Sequence, residues 1–74
     1  MNKVWALLSN TNAYDESRHL QMIFWQEPKI SDLAIFFEIG NVTPLLESIL
    51  KDIIRGIRPR LYGEYYWLEE FTKP

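Results

Sequence analysis

The chain has 74 residues, 47% of them hydrophobic and 15% aromatic, which predicts one small domain over residues 1–74. It contains no cysteine, and this excludes disulfides, thiolate metal sites and cysteine nucleophiles. Eight Lys and Arg against ten Asp and Glu leave a net charge of -2, which argues against a general binder of nucleic acid or acidic membranes.

The chain opens with an apolar stretch that resembles the start of a signal peptide. Asn10, Thr11 and Asn12 interrupt it before a hydrophobic region of the usual length can form, and no run approaches the roughly 20 apolar residues of a membrane span. We therefore expect a cytoplasmic protein with no membrane partner, in the host cell cytoplasm if a phage encodes it.

Two strands are predicted first. Side chains alternate from Lys3 to Ser9, and again from Leu20 to Trp25, in segments rich in strand-forming types. The polar residues 10–19 between them have the composition of a loop. Pro28 ends the second strand because proline cannot donate to a ladder. The pair is a hairpin with a long polar connection.

A short helix is predicted next, with Ser31 as its N-cap and Gly40 as its stop. Its central run, Leu33 to Phe37, is apolar without interruption. Periodicity therefore leaves open whether this segment is a buried helix or a buried strand.

The long helix carries the clearest signals in the chain. Thr43 is a favoured N-cap, Pro44 suits the first helical position, and Gly56 is a natural stop. Apolar residues between them recur at steps of three and four, as in an amphipathic core helix: Leu45, Leu46, Ile49, Leu50, Ile53, Ile54 and Ile57.

A last strand is predicted over Glu64 to Phe71, which has strand composition. The order β-β-α-α-β predicts an α+β two-layer sandwich, with the long helix across a three-stranded sheet. The strand order within that sheet stays open.

The alternation assigns each side chain to one of two sheet faces. The face expected under the long helix carries Val4, Ala6, Leu8, Leu20, Met22, Phe24, Tyr66 and Leu68. The opposite face carries Trp5, Leu7, Ile23, Trp25, Tyr65, Trp67 and Phe71. The residues predicted to be deeply buried are Leu46, Ile49, Leu50, Ile53, Val4, Ala6, Leu8, Met22 and Phe24.

One helix cannot cover both faces, and Trp and Tyr are enriched in interface hot spots. Three interpretations remain for the aromatic face: the short helix covers it, a partner protein binds it, or a second copy does, as in a homodimer. The candidate partner-binding residues are Trp5, Tyr14, Trp25, Tyr65 and Trp67 among the aromatic residues, and Arg55, Arg58 and Arg60 among the basic ones.

The sequence offers no set of residues for catalysis. His19 has no second ligand-type residue at metal-site spacing, and no serine or glycine stands in a nucleophile or phosphate-binding motif. The neighbouring carboxylates Asp15 and Glu16, and Glu69 and Glu70, suggest an acid/base pair or an ion site, but Glu69 and Glu70 are adjacent in a strand and point to opposite faces. We expect no enzyme, no cofactor and no metal.

A cluster of basic residues lies at and just beyond the C-terminus of the long helix: Lys51, Arg55, Arg58 and Arg60. There they are favoured by the helix dipole, and they also suit docking to an acidic protein surface or contact with phosphates. The acidic remainder of the chain ranks nucleic acid behind a protein partner.

Short segments along nearly the whole chain give it a family resemblance. They form a Lys-Val-Trp-Ala-Leu strand, an Asn-x-Tyr-Asp loop, a Phe-x-x-x-Pro strand end and a Trp-containing strand followed by Leu-Glu-Glu: Lys3–Leu7, Asn12, Tyr14, Asp15, Phe24, Pro28 and Tyr66–Glu70. In these the chain resembles small phage and prophage accessory proteins. It departs from them at Arg55-Gly56-Ile57-Arg58, where they carry a run of glycines before an arginine.

The resemblance implies a non-catalytic module that binds a host protein or protein complex and inhibits it by stoichiometric occlusion, as an anti-CRISPR protein or another anti-defence protein does. The alternative is a small nucleic-acid-binding regulator that uses the basic cluster Lys51, Arg55, Arg58 and Arg60.

Overall fold

The computed structural model describes residues 2–12 and 17–72, and it has an α+β fold. Its elements in this part of the chain are β1 (Lys3–Asn10), β2 (His19–Phe24), α1 (Ile30–Phe36), α2 (Pro44–Ile54), β3 (Arg60–Leu61) and β4 (Glu64–Thr72). The α+β class is therefore confirmed, and the predicted three-stranded sheet is wrong by one strand.

The sheet is antiparallel and its strand order is β2-β1-β4-β3. The first and last long strands of the chain thus pair at the centre, with Leu7 opposite Leu68. The strands β2 and β3 are the two edges.

The additional strand, β3, is only two residues long and folds back onto β4 through a tight turn. Tyr62 and Gly63 both have positive φ, at 51° and 83°, as the two central residues of a type I′ hairpin turn do. A two-residue strand has too little alternation to be recognised from sequence, which explains why it was not predicted.

Helix α2 begins and ends as predicted. The Thr43 hydroxyl accepts a hydrogen bond from the Leu46 amide at 3.3 Å, and Pro44 is the first helical residue. At the other end Gly56 has a φ of 82°, and the Ile57 amide donates to the Asp52 carbonyl at 3.0 Å. This is a Schellman motif with glycine in its left-handed position.

The segment left open between helix and strand is the helix α1, but its bounds differ from those predicted. It begins at Ile30, and the Asp32 carboxylate accepts from the Lys29 amide at 2.8 Å. It ends in a second Schellman motif, in which the Ile39 amide donates to the Ala34 carbonyl at 2.8 Å and Glu38 takes a φ of 57°. Glu38, and not the predicted Gly40, is therefore the left-handed residue.

Both helices pack on the same face of the sheet, called here the helix face. One buried cluster contains residues from both helices and from three strands: Leu7, Leu33, Ala34, Leu50, Ile53, Leu61, Tyr66 and Leu68. The interpretation in which the short helix covers the opposite face is therefore excluded. That opposite face, called here the open face, has a small cluster of Ala6, Leu8 and Trp67.

The predicted faces are correct for most of β2 and β4 and reversed for β1. Leu7 is fully buried beneath the helices, and its cross-strand partners Leu68 and Met22 share that face, so Val4, Ala6 and Leu8 lie on the open face. Both faces of β1 are apolar, so alternation alone could not decide between them.

Leu20 was also assigned to the wrong face, because β2 contains a bulge. The register shifts between Leu7 and Leu8, so that Met22 opposes Leu7 whereas Leu20 opposes Leu8. The extra residue, Gln21, moves Leu20 to the open face.

Burial follows the prediction for Leu50, Ile53, Ala6 and Leu8. Four residues predicted to be deeply buried are only half-buried: Leu46, Ile49, Val4 and Phe24. The prediction is wrong for Met22, which is 42% exposed because β2 is an edge strand that no further strand covers.

Candidate functional site

The edge strand β2, called here the β2 edge, exposes apolar side chains on both sides of the sheet. Leu20 is 58% exposed, Met22 42% and Ile23 44%. Apart from His19, the strand contains no ionisable side chain. Edge strands are usually protected from further pairing by charged side chains, by proline or by a β-bulge. The β2 edge has no Lys, Arg, Asp, Glu or Pro, and its protection is the bulge at Gln21.

Trp25 follows the β2 edge directly and is 67% exposed. A cleft of about 430 Å³ lies on one side of it and is lined by Asn2, Lys3, Val4, Trp5, Trp25, Gln26 and Glu27. A second cleft, of about 490 Å³, is lined by Phe24, Trp25, Gln26, Glu27, Lys29, Ser31 and Asp32. We call the residues shared by both clefts, Trp25, Gln26 and Glu27, the Trp25 corner.

Trp67 is buried whereas Trp25 is exposed, although the sequence pattern placed both on the same sheet face. It is only 3% exposed. The Arg58 guanidinium lies 4.2 Å from the ring centroid, and the indole Nε1 donates to Glu69 Oε1 at 3.1 Å. Glu69 in turn accepts from Arg18 at 3.0 Å. The ring is thus enclosed by a cation above it and a carboxylate at its edge.

The other aromatic candidates are separated from Trp25 in different ways. Trp5 is half-buried and packs against the helix-face cluster. Tyr65 is half-buried on the open face, with the Arg60 guanidinium 5.9 Å from its ring centroid. Tyr14 lies outside the described residues. Of the predicted set, the structure brings Trp5 and Trp25 together around one cleft.

The basic candidates mostly contact their own chain. Arg58 and Arg60 lie over aromatic rings, and Lys51 Nζ is 3.5 Å from Glu47 Oε1. Arg55 is exposed at the C-cap of α2, where positive charge complements the helix dipole. Three of the four cations thus contact groups of their own chain, and all four residues are exposed.

Tyr66 is a buried residue with an ionisable hydroxyl. Its hydroxyl donates to Glu64 Oε2 at 3.2 Å, and the side chain is buried against the helix face. Burial raises the pKa of Tyr66, and the neighbouring Glu64 carboxylate raises it further through its charge and the hydrogen bond. The Tyr66 hydroxyl therefore stays protonated at neutral pH, and we interpret Tyr66 as a structural residue.

The acidic neighbours do not meet at one site. Glu69 binds Arg18 on the open face, whereas Glu70 pairs with Lys3 at 3.1 Å on the helix face. Asp15 and Glu16 lie outside the described residues. Within residues 2–12 and 17–72, no group of three potential ligands is placed to hold a metal ion. No helix in that part of the chain is long and apolar enough to cross a membrane.

Sequence reasoning included Trp25 but missed the β2 edge as an exposed surface. It placed Leu20 and Met22 on the sheet face expected under the long helix, with Met22 among the deeply buried residues, while the strand order stayed open. The signal available in the sequence was the absence of Lys, Arg, Asp and Glu from residues 19–24. That absence suits a central strand equally well, so the position of β2 in the sheet was needed to interpret it.

Comparisons of this chain with protein-family models, with curated proteins and with solved structures find no match.

Proposed function

We propose that this protein is a non-catalytic binding module of phage or prophage type, which binds one host protein through the Trp25 corner and inhibits it by occlusion. The observation that carries the proposal is Trp25 itself, which is 67% exposed between two clefts. Tryptophan contributes to binding most strongly when a partner encloses it, and it is the residue type most enriched at interface hot spots.

The surroundings of Trp25 support a protein partner. The two clefts carry charges of both signs, with Lys3 and Glu27 at the first and Lys29 and Asp32 at the second. An apolar centre with a polar, charged rim is the usual anatomy of a specific protein interface. Two cations and two carboxylates at this rim give a polyanion no net attraction.

The size of the domain supports occlusion as the mechanism. Its principal extents are 38 × 28 × 17 Å, so its broad side matches the roughly 800 Å² per partner of a standard interface. A body of this size blocks one functional site on a larger target by covering it. We propose that the target is a host defence complex in the host cytoplasm, in the manner of anti-CRISPR proteins.

The experiment is a calorimetric titration of purified host defence complexes with this protein and with two variants. We expect a stoichiometry near one per site, and Trp25→Ala should weaken binding at least about 30-fold, which corresponds to about 2 kcal/mol. Leu45→Ala is the matched control, because Leu45 is 72% exposed on α2, and it should bind as the parent does.

Both variants should keep the melting temperature of the parent, since both side chains are exposed. Equal affinity of Trp25→Ala and the parent would contradict the proposed site. Inhibition with turnover, at far less than one molecule per target, would contradict the non-catalytic mechanism. Tight binding to random duplex DNA that weakens steeply with salt would favour the nucleic-acid alternative instead.

A further inference from the structure

The Trp25 corner has a residue spacing that occurs once more in the chain. A tryptophan is followed two residues later by a glutamate both at Trp25 and Glu27 and at Trp67 and Glu69. The second pair lies inside the folded chain and has its binding partners in place, so it shows which groups this combination of side chains can bind.

Trp67 and Glu69 bind two guanidinium groups of their own chain. The Arg58 guanidinium lies 4.2 Å from the Trp67 ring centroid, which is a cation–π contact. The Glu69 carboxylate accepts a hydrogen bond from the Arg18 guanidinium at 3.0 Å. The indole and the carboxylate are thus each matched by an arginine.

Trp25 and Glu27 line both clefts and are exposed, Trp25 to 67%. Among the described residues, no lysine or arginine forms an ion pair with Glu27. An exposed indole face and an unpaired carboxylate are two groups that one guanidinium can contact together, since it is planar, charged and rich in hydrogen-bond donors.

The other charges at the two clefts offset one another. Lys3 Nζ, at the first cleft, lies 3.1 Å from Glu70 Oε1. Lys29 and Asp32, at the second cleft, carry opposite charges. The charge of Glu27 is therefore left uncompensated, and it favours a cation at the Trp25 corner.

Trp5 brings a second indole to the first cleft, which has a volume of about 430 Å³. A long side chain can pack its aliphatic stem against such rings while its charged end reaches a carboxylate. Arginine suits this arrangement better than lysine, because the guanidinium is less strongly hydrated and stacks on aromatic faces.

We propose that the Trp25 corner binds an arginine side chain of the partner protein, with the guanidinium against the Trp25 indole and the Glu27 carboxylate. This inference rests on the proposed function and adds the chemistry of the partner, which is a basic protein surface that presents an arginine. The net charge of -2 on this chain is complementary to such a surface.

Titration of the ¹⁵N-labelled protein with N-acetyl-arginine amide, followed by the indole N–H signals, tests the site. Trp25→Phe assigns the signal of Trp25. That signal should shift saturably with a Kd of roughly 10 mM, since only a few contacts are made. N-acetyl-citrulline amide has nearly the same shape without the charge and should cause little shift at equal ionic strength. Absence of a saturable shift, or equal shifts with both probes, would overturn the proposal.

Further comparisons test the carboxylate and the guanidinium. Glu27→Gln should weaken binding of the arginine probe about 3- to 5-fold, the effect of one exposed ion pair. Glu47→Gln makes the same change of charge on α2, outside both clefts, and should bind the probe as the parent does. N-acetyl-lysine amide should bind more weakly than the arginine probe. An unchanged affinity in Glu27→Gln, or tighter binding of the lysine probe, would contradict the assignment.

The titration with host complexes separates this inference from the proposed function, because the arginine probe needs no host protein. Glu27→Gln should weaken host binding, whereas Glu47→Gln should not. If Trp25→Ala weakens host binding while Glu27→Gln and the arginine probe have no effect, the arginine site is wrong and the proposed function is retained. If the arginine probe binds and no host complex does, the proposed function is wrong and the arginine site is retained.

Discussion

At the scale of single residues, the fold holds the Tyr66 hydroxyl in its protonated form. The Phe37 ring packs edge-on against Tyr66 at a centroid distance of 4.8 Å, and Glu64 accepts the hydroxyl proton in a hydrogen bond. Ionisation would place a second negative charge beside Glu64 in a partly desolvated site. The pKa of Tyr66 is therefore raised, first by burial and then by Glu64.

This raised pKa predicts how stability depends on pH. The protonated phenol favours the folded state, and its contribution is complete below about pH 10, the pKa in the unfolded chain. The contribution is lost as the pH rises through the higher pKa of the folded protein. Chemical denaturation at alkaline pH should show this loss for the parent, and Tyr66→Phe should remove the part of the pH dependence that Tyr66 causes.

Glu64→Gln is the control for the cause of the shift. Removing the carboxylate should return the pKa of Tyr66 only part of the way toward its ordinary value, because burial is the largest cause. Phenolate absorbance, compared with Tyr66→Phe to assign the signal, measures this pKa. A complete return to about 10 in Glu64→Gln would contradict the leading role of burial.

Trp67 shows why residue type alone did not predict exposure. A tryptophan in an alternating strand was expected to contribute to an exposed patch. Its enclosure depends on Arg58, nine residues earlier, which the turn between α2 and β3 brings to 4.2 Å from the ring. Contacts of this kind follow from the path of the chain, which the sequence pattern does not reveal.

At the scale of elements, the two helices end in the same motif with different residues. Gly56 takes the left-handed position after α2, whereas Glu38 takes it after α1. A side chain in this conformation costs roughly 1 kcal/mol that glycine avoids. For the end of α1 the sequence indicated Gly40, but the structure places Gly40 two residues past the left-handed position.

This difference predicts opposite effects on stability for two substitutions. Gly56→Ala should lower the free energy of unfolding by roughly 1 kcal/mol, although the new Cβ would meet only the Leu68 carbonyl oxygen at 3.8 Å, an ordinary contact. Glu38→Gly should raise it by about 0.5 to 1 kcal/mol.

Gly40→Ala is the matched control, because Gly40 has open space at its Cβ and no positive φ. It should be neutral or stabilising by up to about 1 kcal/mol, since alanine restricts the unfolded chain. Urea denaturation of the three variants measures these differences. A larger loss for Gly40→Ala than for Gly56→Ala would mean that the assignment of the helix ends is wrong.

Strand β1 shows the limit of periodicity at this scale. Its alternation correctly predicted a strand, yet both of its faces are apolar, with Val4, Ala6 and Leu8 on one and Trp5 and Leu7 on the other. A pattern with one polar face would have identified the buried side. The face was decided by the pairing of Leu7 with Leu68 beneath the helices.

At the scale of the whole molecule, the core is one cluster between the sheet and both helices, and Leu7 lies fully buried within it. Leu7→Ala should therefore lower the free energy of unfolding by about 2 to 5 kcal/mol, through lost burial and a cavity. This is a large part of the roughly 5 to 15 kcal/mol that stabilise a typical domain.

Leu45→Ala makes the same chemical change at a site that is 72% exposed, and it should alter stability by less than about 0.5 kcal/mol. Urea denaturation of both variants measures the contrast. Similar losses for the two, or a greater loss for Leu45→Ala, would contradict the placement of Leu7 on the helix face.

The sequence by itself determined the α+β class, the existence of three long strands, the bounds of α2 within a few residues and the presence of Trp25 among the candidate residues. These features depend on local chemistry: alternation, capping by Thr43 and Pro44, and a left-handed stop at Gly56. Only the tertiary structure decided the strand order, the inner face of β1, the enclosure of Trp67 and the exposure of β2. Each of these depends on pairings between residues far apart in the chain, such as Leu7 with Leu68, and such pairings leave no local pattern.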